Sequence, residues 1–536
     1  MTKPQRQTMI EPLEGRMLLV GNGLRGEYFN NADLTSLKFT RTDPQINLSL
    51  PTKSPLPRFV GADTFSVRWT GQIQAVATGV HTFHARADDG VRLWVRGQLL
   101  IDQWADRPRF AGDASGDHQV TLDDFTVLAA NFGLNESTFD QGDFSGDGNV
   151  SLDDFTVLAA NFGQQQAVPE YSANISLTGG QRVDFRMEFY DRTTEAVAQL
   201  DWTPPGQSRQ LVPRSALFDS ASTTMQINNR IAAEGADPWV VQHEGEYLYI
   251  RSDGGRLYVH RSPTLQGVAS TPGVLIYQPP PGTNYSQNLW APELHLLDGK
   301  WYVYFAADDG ANANHRMYVL EAATANPQGI YVFKGKIAAL TDRWAIDGSV
   351  LEYQGNRYFV WSGWQGFVDG RQDLYIARMS NPWTLSTDRS LIAFPTYSWE
   401  QHGLPLVEGP TALVKNGKLH IIYSASGFWT NEYALGQLTL TGTNPLSAAS
   451  WTKKSTPVFS KTSQVVGVGH ASFVKSPDML EDWIVFHAHN TPGDFTGVRD
   501  VRVQQFSWNA DDSPNFGSPL DTGTLLNEPS GTPHVL

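Results

Sequence analysis

The chain contains no cysteine. Disulfides, thiolate metal sites and cysteine nucleophiles are therefore excluded. Positive charge is also scarce: 40 Lys and Arg stand against 55 Asp and Glu, a formal net charge of −15. That balance argues against nucleic acid or an anionic membrane as partner, but it does not oppose neutral sugars. No apolar run is long enough to span a bilayer, and Met17-Leu18-Leu19-Val20 is too short for the core of a signal peptide. What the chain does have is 48 Gly, 31 Pro, 16 Trp, 18 Tyr and 27 Phe. At 536 residues it exceeds what one core supports, so about two to four domains are expected.

The stretch EGADPWVVQHEGEYLY, Glu234 to Tyr249, introduces a unit that recurs to the end of the chain. Asp237 is followed by Pro238, a short apolar run, a turn at Gly245 and an alternating strand. Glu293 precedes Gly299 and KWYVYFA. Asp347 precedes Gly355 and NRYFVWS, and Glu408 precedes Gly417 and KLHIIYS. His470 precedes a glycine-free version, EDWIVFHA. Each copy couples a polar residue to a turn and a strand rich in aromatic and β-branched residues. Units of several strands recurring every roughly 55–65 residues predict a β-propeller, here with five blades over 227–536. Equivalent positions of successive blades face one axis, so Asp237, Glu293, Asp347, Glu408 and His470 are expected to converge there.

Ahead of it, glycine-punctuated strands such as GLRGEYF, FSVRWTGQI and GVHTFHARADDGVRLWVRGQLLID predict a β-sandwich. Its pieces, 21–106 and 167–222, are separated by an insert. GLRGEYF, Asp88-Asp89-Gly90, the run Gly97 to Trp104 and Leu200-Asp201-Trp202 together resemble the protective-antigen-type sandwich module, whose members often bind carbohydrate. The resemblance implies that Asp88 and Asp89 hold a calcium that ligates sugar hydroxyls; paired carboxylates suit so hard a cation. The same triplet also reads as a polar hairpin turn.

The insert, 107–166, carries a duplicated loop. DASGDHQVTLDDFTVLAANFG starts at Asp113 and DFSGDGNVSLDDFTVLAANFG at Asp143. Oxygen-bearing residues fall at loop positions 1, 3, 5 and 12: Asp113, Ser115, Asp117 and Asp124, then Asp143, Ser145, Asp147 and Asp154. Gln119 and Asn149 would offer backbone carbonyls at position 7. This is the pattern of a calcium loop followed by one helix. Two such copies in tandem resemble a type I dockerin, which implies a cohesin-like protein partner. Position 6 is Gly148 in the second copy but His118 in the first, where glycine would turn more easily. Leu122-Asp123 and Leu152-Asp153 stand where cellulosomal dockerins carry small hydroxyl residues.

In the C-terminal region Asp237-Pro238, Asp347-Gly348 and Glu408-Gly409-Pro410 have no Lys or Arg at salt-bridge spacing. Crowded carboxylates repel, so at least one pKa should rise; one group then serves as acid while another stays a base. Trp239, Trp290, Trp344, Trp361, Trp364 and Trp429 lie near the same turns. They could stack on sugars or pack between blades. Ala236-Asp237-Pro238-Trp239, Trp290-Ala291-Pro292-Glu293, Ile346-Asp347-Gly348-Ser349, Glu408-Gly409-Pro410 and Gly467-Val468-Gly469-His470 resemble glycoside hydrolase family 43. His315 to Glu321, Asn381-Pro382-Trp383 and Arg502-Val503-Gln504 resemble its α-L-arabinofuranosidase branch.

That resemblance implies an inverting glycosidase with Asp237 as general base, Glu408 as general acid and Asp347 tuning the pKa of Glu408. It implies His470 on the axis near a calcium or its waters, and Arg502 bonded to the terminal sugar. Trp239, Trp290 and Glu293 are candidates for binding substrate. Calcium is the expected cofactor, and no organic cofactor is implied. The substrate expected is plant cell-wall arabinan or arabinoxylan. A β-xylosidase or endo-arabinanase fits the same scaffold, and a non-catalytic polysaccharide-binding propeller is the reading of another class. The segment Gln278 to Gly282 could wall off one end of the cleft, as exo action requires. Leu13 to Leu19 resembles an L-E-x-R-x-L-L motif near the start of large exported proteins, so residues 1–20 read as an export or tail segment and the protein as secreted or on the cell surface.

Overall fold

The structure is a computed structural model that describes residues 21–50, 53–108, 110–192, 195–219, 225–489 and 498–536. The Leu13 to Leu19 motif lies outside the described residues. The chain divides into two units, 1–54 with 58–222, and 55–57 with 223–536. Among the described residues no helix is long and apolar enough to cross a membrane.

The first unit is built on two antiparallel sheets. One runs Leu37–Asp43, Leu24–Phe29, Phe65–Gln74, Arg182–Asp191, Val91–Val95 and Gln98–Gln103, with Leu217–Phe218 also paired to Phe65–Gln74. The other runs Gln210–Leu211, Ala196–Thr203, Gly79–Ala87 and Glu170–Leu177, with Asn47–Leu50 paired to Ala196–Thr203. Alternating residues of Val91–Val95 are buried, the period of two that one-sided burial dictates. Tyr28, Phe39, Phe65, Trp69 and Trp202 form the fully buried centre. One acid sits among them: Asp43 accepts bonds from Tyr28 Oη (2.6 Å) and Trp69 Nε1 (2.7 Å), which satisfies a buried carboxylate.

The insert follows Gln98–Gln103 and returns to the sandwich at Glu170–Leu177. Its helices, α1 (Leu122–Asn131) and α2 (Leu152–Asn161), are identical in sequence. Thr121 and Ser151 cap them, with Asp124 and Asp154 closing capping boxes. Val120, Leu128, Val150 and Leu158 make a core of their own, flanked by Phe110 and Phe144.

The second unit is a five-bladed propeller. Four consecutive sheets start from Trp239–His243, Gln287–Leu297, Ala345–Tyr353 and Val407–Lys415. The fifth runs Val466–Lys475, Asp482–His489, Arg499–Trp508 and then Arg230–Ala232, so a strand that precedes the first blade is the outer strand of the last. Five apolar clusters fill the joints between blades. Leu248 and Ile250 meet Val303 and Phe305 between blades one and two, and Val240 and Tyr249 meet Val485 and Val501 where five meets one. Each sheet is apolar on both faces, which only a neighbour on either side can cover.

The innermost strands share a defect. In blades two to five three residues span the place of two at Ala291-Pro292, Asp347-Gly348, Gly409-Pro410 and His470-Ala471. Asp237-Pro238 occupies the same place ahead of Trp239–His243. The first residue of each pair has a left-handed φ: 49° at Asp237, 42° at Ala291, 53° at Asp347, 54° at Gly409 and 47° at His470. A bulge of this kind re-aims a side chain. It also corrects the alignment of polar residues taken from the sequence. Ala291 and Gly409, not Glu293 and Glu408, are the true equivalents of Asp237, Asp347 and His470. Glu408 stands one residue before its bulge and Glu293 two residues after.

Gly348 shows how tightly the bulges are packed: a Cβ there would lie 2.1 Å from Cζ of Phe359. Gly348→Ala should therefore destabilise the propeller by about 1–3 kcal/mol through overpacking, read as a lower midpoint in thermal unfolding. A midpoint at the wild-type value would contradict this packing.

Candidate active site

Residues at or just before the bulges line one cavity of about 350 Å³: Asp237, Trp290, Ile346, Asp347, Glu408 and His470. Asn312, Trp344, Asp369, Gln372, Leu404, Phe428, Trp429 and Arg499 complete the wall. The three acids expected from sequence are thus brought together.

Their surroundings differ. Asp237 Oδ1 lies 3.1 Å from Arg499 Nη1, 3.2 Å from His470 Nδ1 and 3.5 Å from His487 Nδ1. It is not unpaired, as local spacing implied; its cation comes from the fifth blade. Asp347 is buried, accepts the backbone N–H of Gly409 (3.0 Å) and faces His470 Nδ1 at 4.0 Å. Glu408 is buried and accepts the hydroxyl of Tyr433 at 2.8 Å. Burial, opposed by His470 and reinforced by the charges of Glu408 and Asp237, pushes Asp347 up to about 8. Burial also pushes Glu408 up to about 7; the Tyr433 hydroxyl and Arg499 pull it down, and the Asp237 charge pushes it further up. The site therefore holds a carboxylate clamped by a guanidinium on one side and a carboxyl that keeps a proton near neutrality on the other.

Trp290 lies on the cavity wall, half-exposed, with its ring 3.9 Å from that of His315 and nearly parallel. Three other expected residues are elsewhere. Trp239 and Glu293 occupy equivalent positions just past the bulge, which turns them off the wall. Trp239 packs between blades and donates Nε1 to the carbonyl of Leu294 (2.9 Å). Glu293 is buried against His295 Nε2 (2.7 Å) and Ser349, its own equivalent in the next blade, and burial holds its carboxyl well up. Arg502 is fully buried and tied to Asp500 (2.6 Å); the guanidinium in the cavity belongs to Arg499. Trp361 and Trp364 are core, the latter stacked on Trp344. Pro279 and Pro281 do not wall the cavity. They line a separate groove that meets it at Trp290.

Residues 228–514 match the family description Glycosyl hydrolases family 43. The chain belongs to that family. This family 43 chain is 39% identical over 318 residues to an extracellular exo-alpha-(1->5)-L-arabinofuranosidase of Streptomyces avermitilis, covering 56% of this chain and 66% of that protein. It is 33% identical over 329 residues to alpha-L-arabinofuranosidase 43 of Humicola insolens, covering 58% of this chain and 67% of the other. It thus spans about two thirds of the length of these relatives. The crystal structure of alpha-L-arabinofuranosidase from Lactobacillus brevis superposes on 56% of this chain and 98% of its own, at 34% identity and a TM-score of 0.53. Residues 21–129 match a PA14 domain, so the family 43 propeller follows a PA14 module.

Two acidic clusters lie in the first unit. Asp88, Asp89 and Asp191 bring carboxylate oxygens within 4.8 Å of one another, as do Asp113, Asp117 and Asp124. His470 belongs to neither cluster; its Nδ1 is turned to Asp237 and Asp347. Asp88 accepts the N–H of Val197, and Asp89 those of Arg107 and Arg192, so the pair also pins its turn. In the insert, Asp113 accepts from Gly116 and His118 and Asp124 from Ser115 and Thr121. Asp143 and Asp154 repeat the arrangement. His118 has φ 61° and Gly148 φ 86°, so the first loop makes with a side chain the turn that the second makes with glycine.

A raised acid can donate a proton below its pKa and loses that proton as pH rises through it. With Glu408 as donor, kcat/KM should fall as pH passes about 7. A pH–rate profile flat to pH 9 would remove Glu408 from that role.

Proposed function

We propose that the protein is a secreted, inverting, exo-acting α-L-arabinofuranosidase that removes terminal arabinofuranosyl residues from arabinan or arabinose-substituted plant polysaccharide. The observation that carries this reading is the unequal environment of Asp237 and Glu408 around one aromatic-walled cavity. Similarity to arabinofuranosidases over the same residues supports the sugar assigned. Asp237, oriented by Arg499 and His470, is the general base that activates water. Glu408 is the general acid for the leaving oxygen. Asp347 holds the backbone N–H of Gly409, the residue after Glu408, and so orients the acid, while the charge of Asp237 helps to keep the Glu408 proton in place. Trp290 supplies a flat face for the sugar, and Arg499 replaces Arg502 as the cation at the substrate.

The duplicated loops of the insert are proposed to bind calcium. Asp113, Ser115, Asp117 and Asp124 offer an all-oxygen donor set, with the Gln119 carbonyl; Asp143, Ser145, Asp147, Asn149 and Asp154 repeat it. The acidic turn of Asp88 and Asp89 is a further calcium candidate, closed by Asp191. Leu122 and Leu152 at the starts of the two helices and Phe132 and Phe162 at their C-caps are exposed, apolar groups that a cohesin-like protein could cover.

Proton NMR of the products on linear and branched arabinan tests the activity: free arabinose should appear first as the β-anomer. Release of xylose or of oligosaccharides would replace this reading by a β-xylosidase or an endo-arabinanase. Asp237→Ala should lower kcat by about 10²–10⁴ whatever the leaving group, whereas Glu408→Ala should hurt poor leaving groups most. Chelation of calcium should lower the unfolding midpoint of the insert, with the second loop, containing Gly148, retaining the ion longer than the first. A calorimetric trace unchanged by chelator would count against the loops.

A further inference from the structure

Asp237 and Glu408 come from blades one and four, and an inverting pair must stand a water apart. Two residues without a role so far connect them. Tyr433, fully buried, donates its hydroxyl to Glu408 Oε1 at 2.8 Å. Its ring lies on that of His487, with centroids 5.5 Å apart and planes within 13°. His487 is fully buried too, and its Nδ1 accepts the backbone N–H of Asp237 at 3.2 Å. That bond places the ring proton on Nε2. Burial, helped by Arg499 and His470, holds the His487 pKa well below its ordinary value, so the ring stays neutral. Gly469 leaves the space: a Cβ there would lie 2.3 Å from the Tyr433 ring.

We propose that Tyr433 and His487 are positioning residues, a stacked pair that sets the distance between the acid Glu408 and the base Asp237. This rests on the acid and base roles assigned above. Neither ring lines the cavity. One end orients the carboxyl that gives up the proton; the other holds the left-handed backbone from which the base projects. Rings in contact cannot interpenetrate, so movement at one end is resisted at the other.

The test is a double-mutant cycle on the full chain with Tyr433→Phe, His487→Phe and both together. It uses whichever glycoside of a nitrophenyl and oligosaccharide panel the unaltered protein cleaves. A wrong sugar assignment then shows in the unaltered protein, and a wrong positioning assignment only in the variants. Tyr433→Phe removes one hydrogen bond that favours the Glu408 carboxylate, so the alkaline limb of kcat/KM should move up by about one pH unit. kcat should drop about tenfold on poor leaving groups while KM changes less than about twofold. His487→Phe keeps a ring but leaves the Asp237 N–H without an acceptor, so kcat should drop about tenfold for good and poor leaving groups alike. The double variant should lose less than the product of the single losses, by at least about threefold. Losses that multiply, an unmoved alkaline limb, or a rise in KM at constant kcat would each overturn the proposal. If His487→Phe fails to fold, Tyr433→Leu serves instead. It removes the stack as well as the hydroxyl and should cost more than Tyr433→Phe on good leaving groups; equal rates for the two would overturn the spacer.

Discussion

The extra residue in the innermost strands of blades two to five, with its counterpart at Asp237, is the constraint on which the site depends. A regular strand alternates its side chains between two faces, and in a propeller both faces meet neighbouring blades. No regular strand can therefore point a carboxylate along the axis into open space. In blades two to five a bulge breaks the alternation at a left-handed residue, and Asp237 takes the same place ahead of the innermost strand of blade one. Four of the five such residues are not glycine: Asp237, Ala291, Asp347 and His470. Holding an ordinary side chain in that conformation costs of order 1–3 kcal/mol each, and the packing of the surrounding sheets must offset it. Below the bulges, Thr411 Oγ1 bonds the carbonyl of Ala471 and Ser472 Oγ that of Pro238, tying one inner strand to the next.

Electrostatics follow from that geometry. Buried carboxyls gathered near one another cannot all ionise cheaply. The propeller resolves this by giving Asp237 a guanidinium and an imidazole, while among the described residues Glu408 is bonded by the hydroxyl of Tyr433. Among the described residues, the cationic and imidazole partners of the Asp237 carboxylate, Arg499 and His470, come from blade five, as does His487, which accepts its backbone N–H. The chemistry of a residue in the first blade is thus decided by side chains from the last.

Much of this was readable from the chain. The recurrence of strand patterns announced the blades, and proline or glycine after Asp237, Asp347 and Glu408 marked the turns. What eluded a linear reading were single-residue offsets. Aligning acid with acid put Glu293 beside Glu408, yet one stands before its bulge and the other after, and only strand pairing reveals which. Trp239 was misplaced for the same reason. Arg502 lies three positions from Arg499, so a strand sends the two to opposite faces; Arg502 shares its face with Asp500 and closes on it. Tyr433 and His487 had no local mark at all. Their significance lies in a ring contact across blades, which no window of sequence contains.

The strand Arg230–Ala232 finishes the fifth blade although it precedes the first. During synthesis on the ribosome its partner, Arg499–Trp508, emerges only after the intervening blades. Until then one bare edge waits at the start of the nascent propeller, an invitation to premature pairing, and closure is a contact of long sequence separation that comes late. Arg499, His470 and His487 arrive with that final blade. The cleft therefore stays chemically silent through elongation, and hydrolytic competence and topological completion become a single event.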